Sequence, residues 1–97
     1  MFFENNRDYK KGATQTMNEL ILEIMKIALE KNQRQKNTIF MYYHGHVNNF
    51  SIQVYSKGWS TGAEEDFSKD LYMNTLTEEE NIKGLKEILE YLKGLEV

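Results

Sequence analysis

The sequence predicts a small α+β domain with the element order α-β-β-β-α, in which two helices cover one face of a three-stranded antiparallel meander. Two amphipathic segments with capping signals indicate the helices. Between them, residues 37–59 have the period of two that is typical of strands, with aromatic residues on both faces, and turn back on themselves at Asn48-Asn49, which indicates a strand hairpin. A chain of 97 residues accommodates one such domain with a single modest core.

The first helix is expected from about Met17 to Gln35. Thr16 and Glu19 have the spacing of a capping box, in which the threonine oxygen accepts a first-turn amide and the glutamate reaches back to the cap. Its apolar face is wide enough to contact a second helix as well as a sheet, and is formed by Met17, Leu20, Ile21, Ile24, Ala28 and Leu29, widened by Leu22, Met25 and Ile27. Residues 1–13 show no periodicity, so we predict a flexible N-terminal arm before a single domain over 14–97.

The hairpin is predicted to consist of a strand over Thr38 to Val47, a two-residue turn at Asn48-Asn49, and a second strand that pairs Tyr43 with Val54. One face then forms the core, with Ile39, Met41, Tyr43, Val47, Phe50, Ile52 and Val54. The other, outer face carries Phe40, Tyr42, His44, His46, Gln53 and Tyr55.

A loop over residues 57–68 follows, and we expect Trp59 to pin it to the core. A third strand is predicted from about Lys69 to Asn74, with Leu71 and Met73 directed to the core and Tyr72 to the outer face.

The last helix begins after Thr77, which forms a second capping box with Glu80. Gly94 is expected to end it in a left-handed conformation, and Gly84 is expected to allow close packing on the first helix. The apolar stripe is Ile82, Leu85, Ile88, Leu89 and Leu92.

Composition excludes several functions. The absence of cysteine removes disulfides, zinc–thiolate sites and thiol nucleophiles. No stretch approaches the roughly 20 apolar residues that span a bilayer, and the N-terminal residues lack the pattern of a signal peptide, so a cytoplasmic location is expected. Through Lys36 there are seven basic and five acidic residues (+2), and from Asn37 on five basic and ten acidic residues (−5). The hairpin therefore lies in the acidic half, which disfavours nucleic acid as a partner.

His44 and His46 form the only histidine pair. On a strand, side chains two residues apart project to the same side about 6–7 Å apart, so both imidazoles are weak candidates for a metal site. No third ligand has a fixed spacing, so neither a metal nor another cofactor is predicted. Because no nucleophile or oxyanion site accompanies them, we expect no enzymatic activity.

The outer face favours an interaction function. Tyrosine-rich surfaces bring large contact area at low entropic cost, so we predict that this face binds a protein partner or a second copy of the chain. Single-stranded nucleic acid remains the alternative, since aromatic sheet faces also stack bases. A third interpretation is that the aromatic rings pack on one another or lie beneath residues 1–13. The predicted binding residues are Phe40, Tyr42, His44, His46, Gln53, Tyr55 and Tyr72.

The hairpin wording YYHGHVNNFSIQVYSKGW, followed by a short acidic segment and a capped leucine helix, resembles small proteins of unassigned function that phages and prophages of Gram-positive bacteria encode. The resemblance covers residues 17–95. It implies no catalytic motif and gives no residue a role. It implies instead an accessory or inhibitor-type protein that acts by binding a host or phage protein; some anti-CRISPR inhibitors also combine short sheets with flanking helices.

Overall fold

The computed structural model describes residues 16–96 and confirms the α+β fold, with the sheet order β1-β2-β3 and antiparallel pairing throughout. The predicted arm at 1–13 and the proposed domain boundary at residue 14 lie outside the described residues. The elements are α1 (Met17–Lys31), β1 (Thr38–His44), a 3-10 turn (Gly45–Val47), β2 (Asn49–Tyr55), β3 (Phe67–Tyr72) and α2 (Glu78–Lys93).

Both helices pack against the same face of the sheet, because one buried cluster joins side chains from α1, β2, β3 and α2. The central strand β2 contributes alternate residues, as a half-buried strand requires. The fully enclosed members include Leu20, Ile24, Ile52, Val54, Leu85, Ile88 and Leu92. Neither of these two helices covers the opposite, outer face of the sheet. Neither helix is long and apolar enough to cross a bilayer, within the part of the chain described.

The predicted helix starts are confirmed, since the capping boxes of Thr16 with Glu19 and of Thr77 with Glu80 both form. The predicted end of the first helix at Gln35 is wrong: α1 ends at Lys31. Its cap residue, Asn32, is extended and accepts a 2.8 Å hydrogen bond from the Ile39 amide. The polar residues that follow Leu29 have no apolar side chain to bury, so nothing holds them in a further helical turn.

One side of α1 is exposed, which corrects the predicted extent of its buried face. Leu22, Met25 and Leu29 face solvent although α1 packs on both α2 and the sheet. These three residues lie on one side of the helix, at spacings of three and four. They form a second apolar surface, which we call the α1 stripe.

Two glycine predictions for α2 are also wrong. A Cβ at Gly84 would lie 2.8 Å from Leu71 Cδ2, so the close approach is to β3 and not to α1. Gly94 has φ −82° and ψ −7°, which is right-handed rather than left-handed.

The hairpin register differs from the predicted one by four residues. Tyr43 lies opposite Phe50 and Ile39 opposite Val54, because Asn49 belongs to β2 and not to a two-residue turn. The connection is instead the 3-10 turn followed by Asn48 with φ 49°. Since the shift is an even number of residues, each residue that remains in β1 or β2 stays on its predicted face of the sheet.

Side-chain amides hold this connection in place. The Tyr43 hydroxyl donates to Asn48 Oδ1 over 2.6 Å, and Asn48 Nδ2 donates to Asn74 Oδ1 over 3.0 Å. The prediction that Tyr43 and Val47 belong to the core is wrong, because both side chains are exposed at this end of the sheet. The third strand begins at Phe67, two residues before the predicted Lys69, and ends at Tyr72 rather than Asn74.

Candidate functional site

The outer face of the sheet collects six of the seven predicted binding residues. Phe40 lies opposite Gln53, and His44 lies opposite Asn49, which is also opposite Tyr72. Tyr42 lies opposite Ser51, and not opposite Tyr55 as the predicted register required. The seventh residue, His46, lies in the 3-10 turn.

The arrangement forms a trough, with aromatic rings on the edge strands and small polar residues along β2. Tyr42 and His44 stand on β1 and Tyr72 on β3, while Asn49 and Ser51 form the floor between them. An open pocket of about 420 Å³ occupies the end of this trough beside the 3-10 turn. It is lined by His44, His46, Val47, Asn49, Ser51, Asp70 and Tyr72.

The rings along the trough are available to a partner. Tyr42 and Tyr72 are 43% and 48% exposed. The Tyr42 and His44 rings stack with a centroid distance of 6.1 Å and an interplanar angle of 14°. Two neighbouring rings on β1 therefore present one continuous edge to solvent.

Tyr55 is on the outer face but is not available, since it is only 8% exposed. Its ring packs edge to face against the Phe40 ring, with 5.6 Å between the ring centroids. The Phe40 ring in turn packs against the Trp59 indole, with 6.3 Å between the centroids. The prediction that Trp59 pins the loop to the core is wrong, because the indole stays half exposed on Phe40 at the outer face. This part of the face is a small aromatic cluster of its own, as the third interpretation of the aromatic residues anticipated.

The loop that carries Trp59 is closed at its base by Asp66. The Asp66 carboxylate accepts the Ser56 amide, and hydrogen bonding from Ser56 lowers the pKa of Asp66. At its start the loop is held by a 3.2 Å hydrogen bond from the Trp59 amide to Thr38 Oγ1. The indole is therefore placed by polar contacts of the loop backbone.

Polar groups of the trough are joined across β2 and β3. Asn49 Nδ2 donates to Asp70 Oδ1 over 2.8 Å and to the Leu71 carbonyl over 3.2 Å. Asn49 and Ser51 were not predicted as binding residues. The sequence signal that pointed away from Asn49 was the Asn-Asn pair, which favours a turn.

Lys69 is turned away from this face. Lys69 lies on the helix side of β3 and forms an ion pair with Glu87 of α2, which lowers the pKa of the Glu87 carboxyl. Among the residues that the three strands place on the outer face, Asp70 is the one with a formal charge. The trough is thus neutral to acidic.

The geometric basis of the histidine metal prediction does not hold. His44 ends β1, whereas His46 lies in the 3-10 turn, so the two imidazoles do not share the spacing of a regular strand. Within residues 16–96, no group of three or more histidine or carboxylate side chains is placed to hold a metal ion.

Comparison of the chain with protein-family models, with curated protein sequences and with solved structures finds no match. The resemblance to phage proteins therefore stays a prediction from the amino-acid sequence of the hairpin.

Proposed function

We propose that this protein is a non-enzymatic interaction module that binds a protein partner through the trough on the outer face of its sheet. The observation that carries the proposal is the pair of half-exposed rings, Tyr42 and Tyr72, on either side of a polar floor. A solvent-exposed sheet face without a binding role does not require large aromatic side chains at these two positions. An accessory or inhibitor role in a phage is the context that the sequence resemblance adds.

The chemistry of the trough favours a protein ligand. Tyrosine rings offer apolar area with a polar tip, and such residues supply much of the binding energy at protein interfaces. Ser51, Asn49 and Asp70 place hydroxyl, amide and carboxylate groups between them. Asp70 makes hydrogen-bond donors and cationic side chains the best match, so we expect a partner segment with lysine, arginine or free amide groups.

Removal of both tyrosine rings tests this function. For a partner captured from host lysate and then purified, Tyr42→Ser/Tyr72→Ser is expected to weaken binding by about 30-fold or more, because one interface hot spot contributes roughly 2 kcal/mol. Titration calorimetry with the purified pair measures the change. Both side chains are exposed, so the fold should be retained, and circular dichroism checks this.

The matched control changes the α1 stripe. Leu22→Ser/Leu29→Ser removes two exposed apolar side chains from the opposite side of the molecule and should leave the affinity unchanged. If this control abolishes binding while the tyrosine variant retains it, the interface is on α1 and the proposed function of the trough is wrong.

Single-stranded nucleic acid is the second candidate, supported by the stacked Tyr42 and His44 rings. The orientation of Lys69 toward Glu87 weighs against it, since such surfaces combine rings with a cationic path for the backbone. We expect no saturable binding of labelled single-stranded oligonucleotides at low salt, measured by fluorescence anisotropy. Saturable binding that Tyr42→Ser/Tyr72→Ser removes would favour the nucleic-acid function instead.

A further inference from the structure

In the described part of the chain, β1 is an edge strand, and it lacks the features that keep edge strands from pairing. The sheet order leaves β1 and β3 at the edges. β3 carries Lys69 and Asp70, but β1 (TIFMYYH) contains no formally charged residue, proline or glycine over its seven residues. Natural sheets protect exposed edges with such residues. An unprotected strand of this length is therefore a template for another strand.

The hydrogen bond from the Ile39 amide to Asn32 shows which backbone groups face this edge. Ile39 N–H points away from β2, because it donates to Asn32 Oδ1. In an antiparallel pair the orientation alternates, so the amide and carbonyl groups of Met41 and Tyr43 also point outward. Asn32 occupies the edge at Ile39. Among residues 16–96, no strand pairs with the rest of this edge, from Phe40 to His44.

We propose that β1 pairs with β1 of a second copy of this chain, antiparallel and about a two-fold axis at Tyr42. In this register Met41 lies opposite Tyr43 of the second copy, and the reverse pair is identical by symmetry. Each pair exchanges two backbone hydrogen bonds between outward-facing groups. The second copy leaves the sheet at its own 3-10 turn, which is where Asn32 of the first copy begins to occupy the edge.

The side chains in this register match. On the outer face, Tyr42 meets Tyr42 of the second copy and Phe40 meets His44 of the second copy. On the other face, Met41 meets Tyr43 of the second copy, which covers a ring that is 59% exposed in the single chain. Cross-strand aromatic pairs stabilise antiparallel sheets.

Charge also permits the pairing. The net charge of −3 resides on other segments, so the paired strands bring no like charges together. The product is a continuous six-stranded sheet with an open face twice as long, and this dimer goes beyond the proposed binding of a separate partner in the trough.

The oligomeric state of the full chain tests the proposal. Size-exclusion chromatography with light scattering is expected to show a mass that rises with concentration from 11.5 kDa toward twice that value. Tyr43→Pro should keep the chain monomeric, because it removes an outward N–H that makes no bond to β2. Tyr43→Ala retains this N–H and should still form the dimer.

The matched control places proline on the other edge. Met73 donates its amide to the Asn48 carbonyl in line with the β2–β3 register, so alternation turns the amide of Ser68 outward from β3. Ser68→Pro should therefore leave the dimer intact. A wild-type chain that is monomeric at every concentration overturns the proposal. The proposal is also overturned if Ser68→Pro dissociates the dimer while a folded Tyr43→Pro leaves it intact.

Hydrogen exchange on the wild-type chain covers the case in which Tyr43→Pro fails to fold. The Met41 and Tyr43 amides should become more protected as the concentration rises, and protection independent of concentration overturns the pairing. A failure of the proposed partner binding in the trough can be distinguished from a failure of the proposed dimer, because Tyr72 lies on β3, away from the β1 edge. Tyr72→Ser alone should weaken partner binding and leave dimerisation unchanged.

Discussion

Replacement of Gly58 with alanine is expected to lower the free energy of unfolding by about 3 kcal/mol, from backbone strain and overpacking together. Gly58 has φ +88°, a conformation that side chains rarely adopt. A Cβ there would also lie 2.7 Å from both the carbonyl carbon and the carbonyl oxygen of Gln35. Backbone atoms have little freedom to move aside, so the loop itself would have to shift.

The loop around Gly58 is tied at several points, which prevents an easy adjustment. The Gly58 amide donates to the Tyr55 carbonyl over 3.0 Å, and the Asn37 amide donates to the Ser56 carbonyl over 3.1 Å. The next residue, Trp59, contacts Phe40. We therefore expect Gly58→Ala to displace the indole as well, and tryptophan fluorescence should report its increased exposure.

Gly62 supplies a matched control, since it has nearly the same φ, +84°. Apart from its chain neighbours, no atom of the described residues lies within 4 Å of an added Cβ there. Gly62→Ala carries the conformational cost alone and should lose about 1 kcal/mol. Urea denaturation of both variants measures the difference. Equal losses would mean that the close approach of the added Cβ to Gln35 causes no destabilisation of its own.

The helix starts and the two faces of the hairpin could be predicted, because both depend on local patterns. A threonine with a glutamate three residues later satisfies the first amides of a helix wherever the helix lies. The alternation of the strands assigned Phe50, Ile52 and Val54 to the core, and they are buried. Such features need no knowledge of distant residues.

The register could not be predicted, because alternation does not distinguish pairings that differ by two or four residues. Both the predicted and the observed register place Ile52 and Met41 on the helix side. The deciding contacts are not local: Asn48, in the left-handed conformation, bonds Asn74 in the turn after β3. A sequence pattern within the hairpin contains no sign of that partner.

The composition of the candidate site was predictable only in part, for a similar reason. Tyr42 and Tyr72 reach the outer face by alternation, but the burial of Tyr55 depends on where Trp59 comes to lie. Trp59 follows Gly58, which closely approaches Gln35 in the segment before the neighbouring strand β1. The predicted extent of the buried face of α1 was wrong for a similar reason, since periodicity does not tell which part of a wide apolar face its neighbours cover.

Substitution of Asn81 with aspartate is expected to lower the free energy of unfolding by about 3 kcal/mol at neutral pH, because it buries a charge. Asn81 is 1% exposed, and its Nδ2 donates to the Met73 carbonyl over 3.0 Å. Its Oδ1 is buried without a hydrogen-bond partner among the described residues. A carboxylate would place one oxygen against the Met73 carbonyl and leave the other without a donor.

The position of Asn81 near the start of α2 offsets this loss only slightly. Negative charge near a helix N-terminus gains typically 0.3–1 kcal/mol, which is smaller than the penalty for a buried carboxylate facing a carbonyl. Asn74→Asp is the matched control. Asn74 is exposed and uses its side-chain oxygen to accept from Asn48, a role that a carboxylate performs equally well, so its stability should change little.

The destabilisation by Asn81→Asp should depend on pH. Burial and the facing carbonyl raise the pKa of the introduced carboxyl in the folded chain above its unfolded value of about 3.9. The folded variant then binds more protons than the unfolded one between these two pKa values, so its stability relative to wild type falls as pH rises through this window. Below about pH 4 the protonated group can donate to the Met73 carbonyl as the amide does, and the difference between variant and wild type should shrink. A difference in the free energy of unfolding that stays constant from neutral to acidic pH would show instead that the carboxylate reaches water, and that the amide of Asn81 is not held against Met73.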